Sequence, residues 1–237
     1  MISGKTRLAC LCVAALAMAG ARADAANLLS NGSFESPDVT LLFLNPGSTT
    51  ITGWTVAAQA GSAPGTQVSP VDNAAFGALG VVASHGSQFV DLTGNVGRGG
   101  GVVSNAFATG SGASYRASFD VGAFFVGGQG SYGNVTVDLF VNNSFVQSFT
   151  NIMSLQSAGS DWQRFSWDFA GTGSPMTIGL FSSLSTASSN LGVGLDNVSV
   201  DLLSSAVPEP ATWALMVGGL GLAGGMMRRR KMSAVLA

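Results

Sequence analysis

The segment Tyr115–Val121, YRASFDV, places apolar residues at every second position and polar or charged residues between them. Successive side chains of a β-strand point to opposite faces, so this alternation gives the segment one buried face and one solvent face. A helix would instead need apolar residues every three or four positions. The segment is therefore predicted to be a strand that covers a hydrophobic core.

The same period of two recurs along the chain after residue 130. The alternating apolar positions are Val135, Val137, Leu139 and Val141; Phe165, Trp167 and Phe169; Met176, Ile178 and Leu180; and Val198, Val200 and Leu202. Clusters of glycine, asparagine and serine separate these segments, as turns separate strands. Asn142-Asn143 predicts a tight hairpin turn, because asparagine tolerates positive φ. No helical stripe precedes residue 211, so we predict an all-β fold, an antiparallel jelly-roll β-sandwich.

A secretory signal peptide is predicted for residues 1–26. Two cations, Lys5 and Arg7, precede an apolar stretch that ends in a run of small residues. This order is typical of an N-terminal segment that signal peptidase removes. Cleavage after Ala23 and cleavage after Ala25 fit the pattern equally well.

Residues 27–206 remain as the exported part and have the size of one domain with a substantial core. Both cysteines of the chain, Cys10 and Cys12, lie in the signal peptide. The exported domain is therefore predicted to contain no disulfide.

The charge of this domain is strongly negative. It contains no lysine, and its three arginines stand against ten carboxylates, which gives about −7, whereas the whole chain has a formal charge of −2. So few cations cannot neutralise a phosphate backbone, so we expect no nucleic-acid partner. Anionic lipid is disfavoured for the same reason.

The C-terminal end combines a short motif, an apolar run and a cationic cluster. Pro208-Glu209-Pro210 leads into uncharged residues 211–227, which are followed by Arg228-Arg229-Arg230 and Lys231. A helix of that length measures about 26 Å, close to a hydrocarbon core of roughly 30 Å, so a transmembrane helix is predicted. The cations favour the cytoplasmic side, which makes residues 232–237 a cytoplasmic tail and places the upstream chain outside.

Residues 207–231 resemble the PEP-CTERM sorting signal of Gram-negative bacteria, in the Pro208-Glu209-Pro210 motif, the apolar helix and the cluster Arg228, Arg229 and Arg230. The resemblance implies processing near the motif by an exosortase, a membrane cysteine transpeptidase. It further implies transient anchoring in the inner membrane, delivery to the envelope or the extracellular space, and a producer that makes exopolysaccharide for a biofilm matrix. An ordinary C-terminal membrane anchor is the alternative that the helix and the cations alone would satisfy.

A second resemblance rests on short motifs in a fixed order. They are NGSFE at 31–35, Gly53-Trp54, QFVDL at 88–92, Tyr115–Val121, Asp161-Trp162-Gln163 and LDNVSV at 195–200. In this order they resemble galactose-binding-like jelly rolls, including DUF642-type and carbohydrate-binding-module-like domains. The resemblance implies a jelly roll whose first and last motifs lie side by side. The chain lacks the cysteines of the DUF642 pattern.

Glu35 and Asp196 are candidate metal ligands. By the period of two, Asp196 lies on the same face as Val198 and Val200, where an unpaired carboxylate is costly. Related jelly rolls often hold a structural calcium ion near the junction of the first and last strands, so the resemblance implies Glu35 and Asp196 as two of its oxygen ligands. The alternative is that Asp196 caps a turn by accepting hydrogen bonds from backbone amides.

A flat aromatic ring stacks on the apolar C–H face of a sugar, and Trp54 and Trp162 are the candidates for such a ligand contact. Each could instead be a large buried anchor, which is the commoner role. Trp167 is in register with Phe165 and Phe169 and is predicted to lie in the core.

Residues for catalysis are scarce, and we predict that the protein is not an enzyme. The chain has one histidine, His85, within Ser84-His85-Gly86-Ser87, a context typical of a solvated turn. No serine lies in a Gly-x-Ser-x-Gly elbow, and no histidine or cysteine pair has metal spacing. Two hypotheses remain for the exported domain: it binds exopolysaccharide, or it is a structural matrix protein that self-associates without a defined glycan ligand.

Overall fold

A computed structural model of the chain describes residues 26–95, 99–126, 134–152, 158–184, 192–205, 215–222 and 224. These residues include ten β-strands: β1 (Trp54–Ala58), β2 (Ser69–Asp72), β3 (Gln88–Asp91), β4 (Gly100–Ser104), β5 (Ser114–Phe125), β6 (Val135–Val141), β7 (Ser144–Asn151), β8 (Gly159–Ala170), β9 (Ile178–Ser182) and β10 (Gly192–Ser204). A one-turn helix, α1 (Asn73–Phe76), and a 3₁₀ turn (Gly77–Leu79) lie between β2 and β3.

The strands form two five-stranded antiparallel sheets. The front sheet has the order β1-β4-β9-β6-β7, and the back sheet has the order β2-β3-β10-β5-β8. Alternate residues of both sheets point into one shared core, which contains Tyr115, Ala117, Phe119 and Val121 of β5 and Val135, Val137 and Leu139 of β6. The predicted all-β sandwich is confirmed.

The predicted hairpin turn after β6 is also present. Asn142 and Asn143 have φ values of 49° and 63°, and they connect β6 to β7. Asparagine adopts this left-handed conformation more readily than other side-chain-bearing residues, which explains the pair at this position. Met176 lies just before β9 and forms an isolated bridge with Phe107.

The sandwich has a core of its own. All buried side chains of the described residues lie between Leu29 and Val200, and the helical residues 215–222 are exposed. Residues 27–206 therefore contain the complete described core. Among the described residues, no helix has the length and apolar character needed to cross a membrane. Residues 1–25 of the predicted signal peptide and the Pro208-Glu209-Pro210 motif lie outside the described residues, and the domain boundaries stay predictions.

A smaller apolar cluster covers the outer face of the back sheet. Residues 73–87, which we call the cover segment, lie across this face with α1 and the 3₁₀ turn. The buried members of the cluster are Val71, Val81, Phe89 and Phe124, and Ala75, Phe76, Ala83 and Trp162 are partly buried against them. Burial of these side chains holds the cover segment on the sheet.

Candidate functional site

Two carboxylates meet on the outer face of the back sheet, beneath the cover segment. Asp120 of β5 and Asp196 of β10 are cross-strand partners. The hydroxyl oxygen of Ser84 lies 2.8 Å from Asp120 Oδ2 and 3.0 Å from Asp196 Oδ2. The amide of His85 donates to Asp196 Oδ2 over 2.8 Å. These contacts fasten the cover segment to the sheet.

The two carboxylates differ in their charge partners. Arg164 Nη1 donates to Asp120 Oδ1 over 2.9 Å and to the carbonyl of Asn197 over 3.1 Å. Asn197 Nδ2 donates to Asp120 Oδ2 over 3.1 Å. Among the described residues no cation forms an ion pair with Asp196, whose exposed fraction is 0%. Asp120 is therefore the member of the cluster that forms an ion pair, and Asp196 is the member that is fully buried.

Burial raises the pKa of Asp196 to about 7, and hydrogen bonds from His85, Asn197 and Ser84 only partly oppose this effect. The position of Ser84 agrees with a neutral Asp196. A hydroxyl has one proton, so Ser84 can donate to only one of the two carboxylates that it contacts. When Asp196 is protonated it can donate to Ser84 Oγ while Ser84 donates to Asp120, whereas a charged Asp196 competes with Asp120 for the single Ser84 proton.

The predicted orientation of Asp196 is wrong. Asp196 pairs with Asp120 and Ser199 pairs with Ser118, so β10 has one extra residue over this stretch. Asn197 lies within this register shift and has a positive φ of 50°. Such a bulge reverses the alternation, so that Val198 points into the core while Asp196 points to the opposite face.

Glu35 is held by the end of the cover segment. Its Oε1 accepts from the amides of Ser87 and Gln88, each over 3.0 Å, and its Oε2 accepts from the Ser87 hydroxyl over 2.8 Å. A calcium ion bound by Glu35 and Asp196 would compete with these donors for the carboxylate oxygens. Among the described residues no group of three or more His, Cys, Asp or Glu is arranged for a metal. The calcium ion stays a prediction.

Trp54 does not offer a ring face to a ligand. Its exposed fraction is 1%, its ring lies 5.2 Å from that of Phe34, and its Nε1 donates to the carbonyl of Asn31 over 3.1 Å. A sugar can stack only on an exposed ring. The structure therefore corrects the ligand prediction for Trp54 and places this residue in the core.

Trp162 is a partly buried anchor of the cover segment. Its Nε1 donates to the carbonyl of Val82 over 2.8 Å, and its ring meets that of Phe89 edge-on at 5.5 Å. A Cβ atom added at Gly122 or Gly194 would come within 2.6 Å of the ring. Glycine at these two positions lets Trp162 lie against the sheet. A sugar contact by Trp162 stays a prediction.

Three phenylalanines form a row on the outer face of the front sheet, and the sequence pattern does not predict this row. Phe140 lies between Phe181 and Phe145, with ring centroids 5.1 and 5.7 Å away, both in edge-on geometry. Phe145 is 58% exposed. In the alternation of β6, Phe140 shares the parity of the polar residues Thr136 and Asp138, and this indicates from the sequence that it faces outward. The row as a whole cannot be predicted without the strand order, because its members come together only when β9, β6 and β7 are neighbours.

Polar groups adjoin this row. Asp138 is buried, and its Oδ1 accepts from the Ser148 hydroxyl over 2.7 Å while its Oδ2 accepts from Gln59 Nε2 over 3.1 Å. The hydroxyls of Thr136 and Thr150 lie 2.9 Å apart on the same face. We call Phe140, Phe145, Phe181, Asp138 and Ser148 the aromatic face.

Comparison of the sequence with family models identifies the tail. Residues 206–231 match the PEP-CTERM protein-sorting motif, which confirms the resemblance. The chain is therefore that of an exported protein, transiently anchored by its C-terminus and processed by an exosortase. Pro208, Glu209, Pro210 and the arginines 228–230 lie outside the described residues. No curated protein matches the chain in sequence.

Comparison of the fold with solved structures identifies similar β-sandwiches. The Stig cyclase Fisc from Fischerella sp. TAU, in complex with an indole ligand, has 15% identity and a TM-score of 0.52, and the match covers 78% of this chain and 100% of the cyclase. An apo cyclase from Fischerella sp. has 16% identity and a TM-score of 0.53, with coverages of 76% and 97%. TmCBM61 in complex with β-1,4-galactotriose has 12% identity and a TM-score of 0.44, with coverages of 74% and 98%. At these identities the cyclases share the fold with this chain.

Proposed function

We propose that the exported domain is a non-catalytic module that binds exopolysaccharide at the cell surface or in the matrix, through its aromatic face. Signal peptidase would remove residues 1–26, and the PEP-CTERM motif directs the protein to exosortase. The observation that carries the proposal is the exposure of Phe145 beside Phe140 and the polar groups of the same sheet face.

The chemistry of the aromatic face suits a sugar. A pyranose has an apolar C–H face and a rim of hydroxyl groups, so its sites combine an aromatic ring with a few placed polar groups. Phe145 supplies the exposed ring. Ser148 is exposed on the same face, and it offers its hydroxyl oxygen beside the buried Asp138, to which it donates.

The negative charge of the domain favours a neutral glycan over an acidic one as its ligand. With three arginines against ten carboxylates and no lysine, the domain would repel an acidic polysaccharide. We therefore propose a neutral glycan as its ligand.

A non-catalytic role is part of this proposal, because the fold also occurs in cyclases. The support is the burial of Asp196. A carboxyl group whose exposed fraction is 0% and whose oxygens accept from the amides of His85 and Asn197 is not accessible to a substrate.

Replacing Phe145 by alanine is expected to weaken glycan binding by residues 27–206 about tenfold, a loss equivalent to ~1.4 kcal/mol. The reason is the loss of the exposed ring at an otherwise intact sheet face. The measurement is a binding isotherm on neutral exopolysaccharide purified from the producing bacterium. Phe43→Ala is the matched control, since Phe43 is an exposed phenylalanine of the segment beside β2. Equal affinities of the two variants, or no saturable binding by the wild type, would contradict the aromatic face as the glycan site.

Replacing Pro208, Glu209 and Pro210 by alanine is expected to abolish exosortase processing in the native host. The protein should then stay in the membrane fraction with its C-terminus uncut. Mass spectrometry of the C-terminus and cell fractionation measure both effects. Alanine at Ser204 and Ser205, just upstream, is the control that should leave processing normal. A motif variant with the wild-type C-terminal mass would refute processing at this motif.

A further inference from the structure

Strand β8 is the last strand at one edge of the back sheet. It has 12 residues and pairs with β5 along its whole length without a register shift. Among the described residues no strand pairs with its other edge. Natural edge strands are usually protected by lysine, proline, a bulge or short length. β8 contains no lysine and no proline, and its unprotected edge is suited to strand addition.

The side chains of β8 are complementary to those of a second copy of β8. In an antiparallel pair of β8 strands centred on Ser166, Arg164 lies opposite the partner's Asp168, and Phe165 lies opposite the partner's Trp167. The two-fold axis repeats each contact, so one register makes two opposite-charge pairs and two aromatic pairs. A shift by one residue would place charged residues opposite aromatic ones.

The charges already present in the sheet fit this register. Arg116 donates to Asp168 through Nε over 2.6 Å and through Nη2 over 2.8 Å, and Arg164 pairs with Asp120. The Asp168 and Arg164 side chains remain 51% and 46% exposed. Joining two copies would create rows in which Asp120 and Arg164 are continued by the partner's Asp168 and the partner's Arg116. The charge alternates along each row, which favours pairing.

The inner face of β8 supplies apolar surface. Phe165 and Trp167 are partly buried against the core, Trp167 stacks on Phe169 at 5.3 Å, and Phe165 lies 5.5 Å from Phe149. Their remaining exposed surface lies at the open edge of the sandwich. A second β8 would cover it.

We propose that two copies of this chain associate by antiparallel pairing of their β8 strands, centred on Ser166, which joins the two back sheets into one sheet of ten strands. The two-fold axis runs perpendicular to the sheet, so both front sheets lie on the same side. This interface does not involve the aromatic face or Asp196, and it stands independently of the proposed glycan ligand.

Charge exchange tests the register. In residues 27–206, Asp168→Arg alone places like charges opposite each other in the homodimer, and so does Arg164→Asp alone. Sedimentation equilibrium should show each variant at least tenfold weaker in dimerisation than the wild type. An equimolar mixture should recover the dimer, because the two variants are complementary to each other. Thermal melting reports whether each variant is folded. A wild type that stays monomeric at all concentrations, or folded variants whose mixture does not associate, would overturn the proposal.

A disulfide provides a second test that does not depend on charge. The domain contains no cysteine, so Ser166→Cys introduces a single thiol at the two-fold axis. Directly opposed strand residues have Cα atoms about 4.5–5.5 Å apart, within the range of a disulfide. Mild oxidation should give a covalent dimer for Ser166→Cys. Ser144→Cys, an exposed serine on the free edge of β7 in the front sheet, is the control and should remain monomeric. Equal crosslinking of the two variants would overturn the interface.

Discussion

Replacing Trp54 by alanine is expected to lower the free energy of unfolding by about 3–5 kcal/mol and the Tm by roughly 6–20 °C. The ring is 1% exposed and packs on Phe34, so alanine leaves a cavity in the core. The substitution also leaves the carbonyl of Asn31 without the donor that Trp54 Nε1 provides. Chemical denaturation and thermal melting of residues 27–206 measure the loss.

Two further variants separate the contribution of the Trp54 donor from that of its ring, and the effect of a buried ring from that of an exposed one. Trp54→Phe keeps an aromatic ring against Phe34 but removes the donor, and we expect a loss of about 1–2 kcal/mol. Phe145→Ala removes an exposed ring and should change stability by less than about 0.5 kcal/mol. If Trp54→Ala cost no more than Phe145→Ala, the placement of Trp54 in the core would be wrong.

The strands and the core could be predicted from the sequence because their signal is local. The alternation in Tyr115–Val121 depends only on the two-residue geometry of a strand, and all four of its apolar residues lie in the core. The turn at Asn142-Asn143 is similarly local, because these two residues themselves adopt the positive φ that the hairpin requires.

The candidate sites depend on strand order, which no local pattern encodes. Trp162 lies against Gly122 and Gly194 only because β10, β5 and β8 are neighbours. In the sequence these residues are far apart, and each glycine resembles an ordinary turn or loop residue. The sequence pattern does not predict the cover segment for a similar reason, because its apolar residues pack against a sheet face that forms only after the strands pair.

The error at Asp196 has a single cause. The period of two extends correctly through Val193 and Leu195, and it resumes correctly at Val198 and Val200. Asn197 interrupts it with a left-handed residue and a register shift. Asn-rich strands give many candidate bulge positions, and the sequence does not say which one is used. Because of this one extra residue, the Asp196 carboxylate lies in the cluster with Asp120 and not in the core.

This cluster makes stability depend on pH. An unfolded aspartate titrates near pH 3.9, whereas burial raises the pKa of Asp196 in the folded domain to about 7. Between these values the folded chain binds more protons, so the free energy of unfolding falls as the pH rises. The contribution of Asp196 is complete below about pH 4 and is lost by about pH 7, with a total of roughly 4 kcal/mol. Asp91, whose pKa burial raises to about 6, adds a smaller loss of the same sign.

Asp196→Asn isolates this effect, because the amide stays neutral at every pH and can still accept from the His85 amide. Its Tm relative to that of the wild type is expected to rise by roughly 8–16 °C between pH 4 and pH 8. Asp168→Asn is the matched control. Arg116 holds the pKa of Asp168 below its usual range, so that contribution changes only below about pH 4 and the difference should be flat from pH 5 to pH 8. A flat difference for Asp196→Asn as well would show that Asp196 is already charged when folded. If calcium chloride raised the wild-type Tm at pH 8 but not that of Asp196→Asn, the ion predicted at Glu35 and Asp196 would be the partner of that charge.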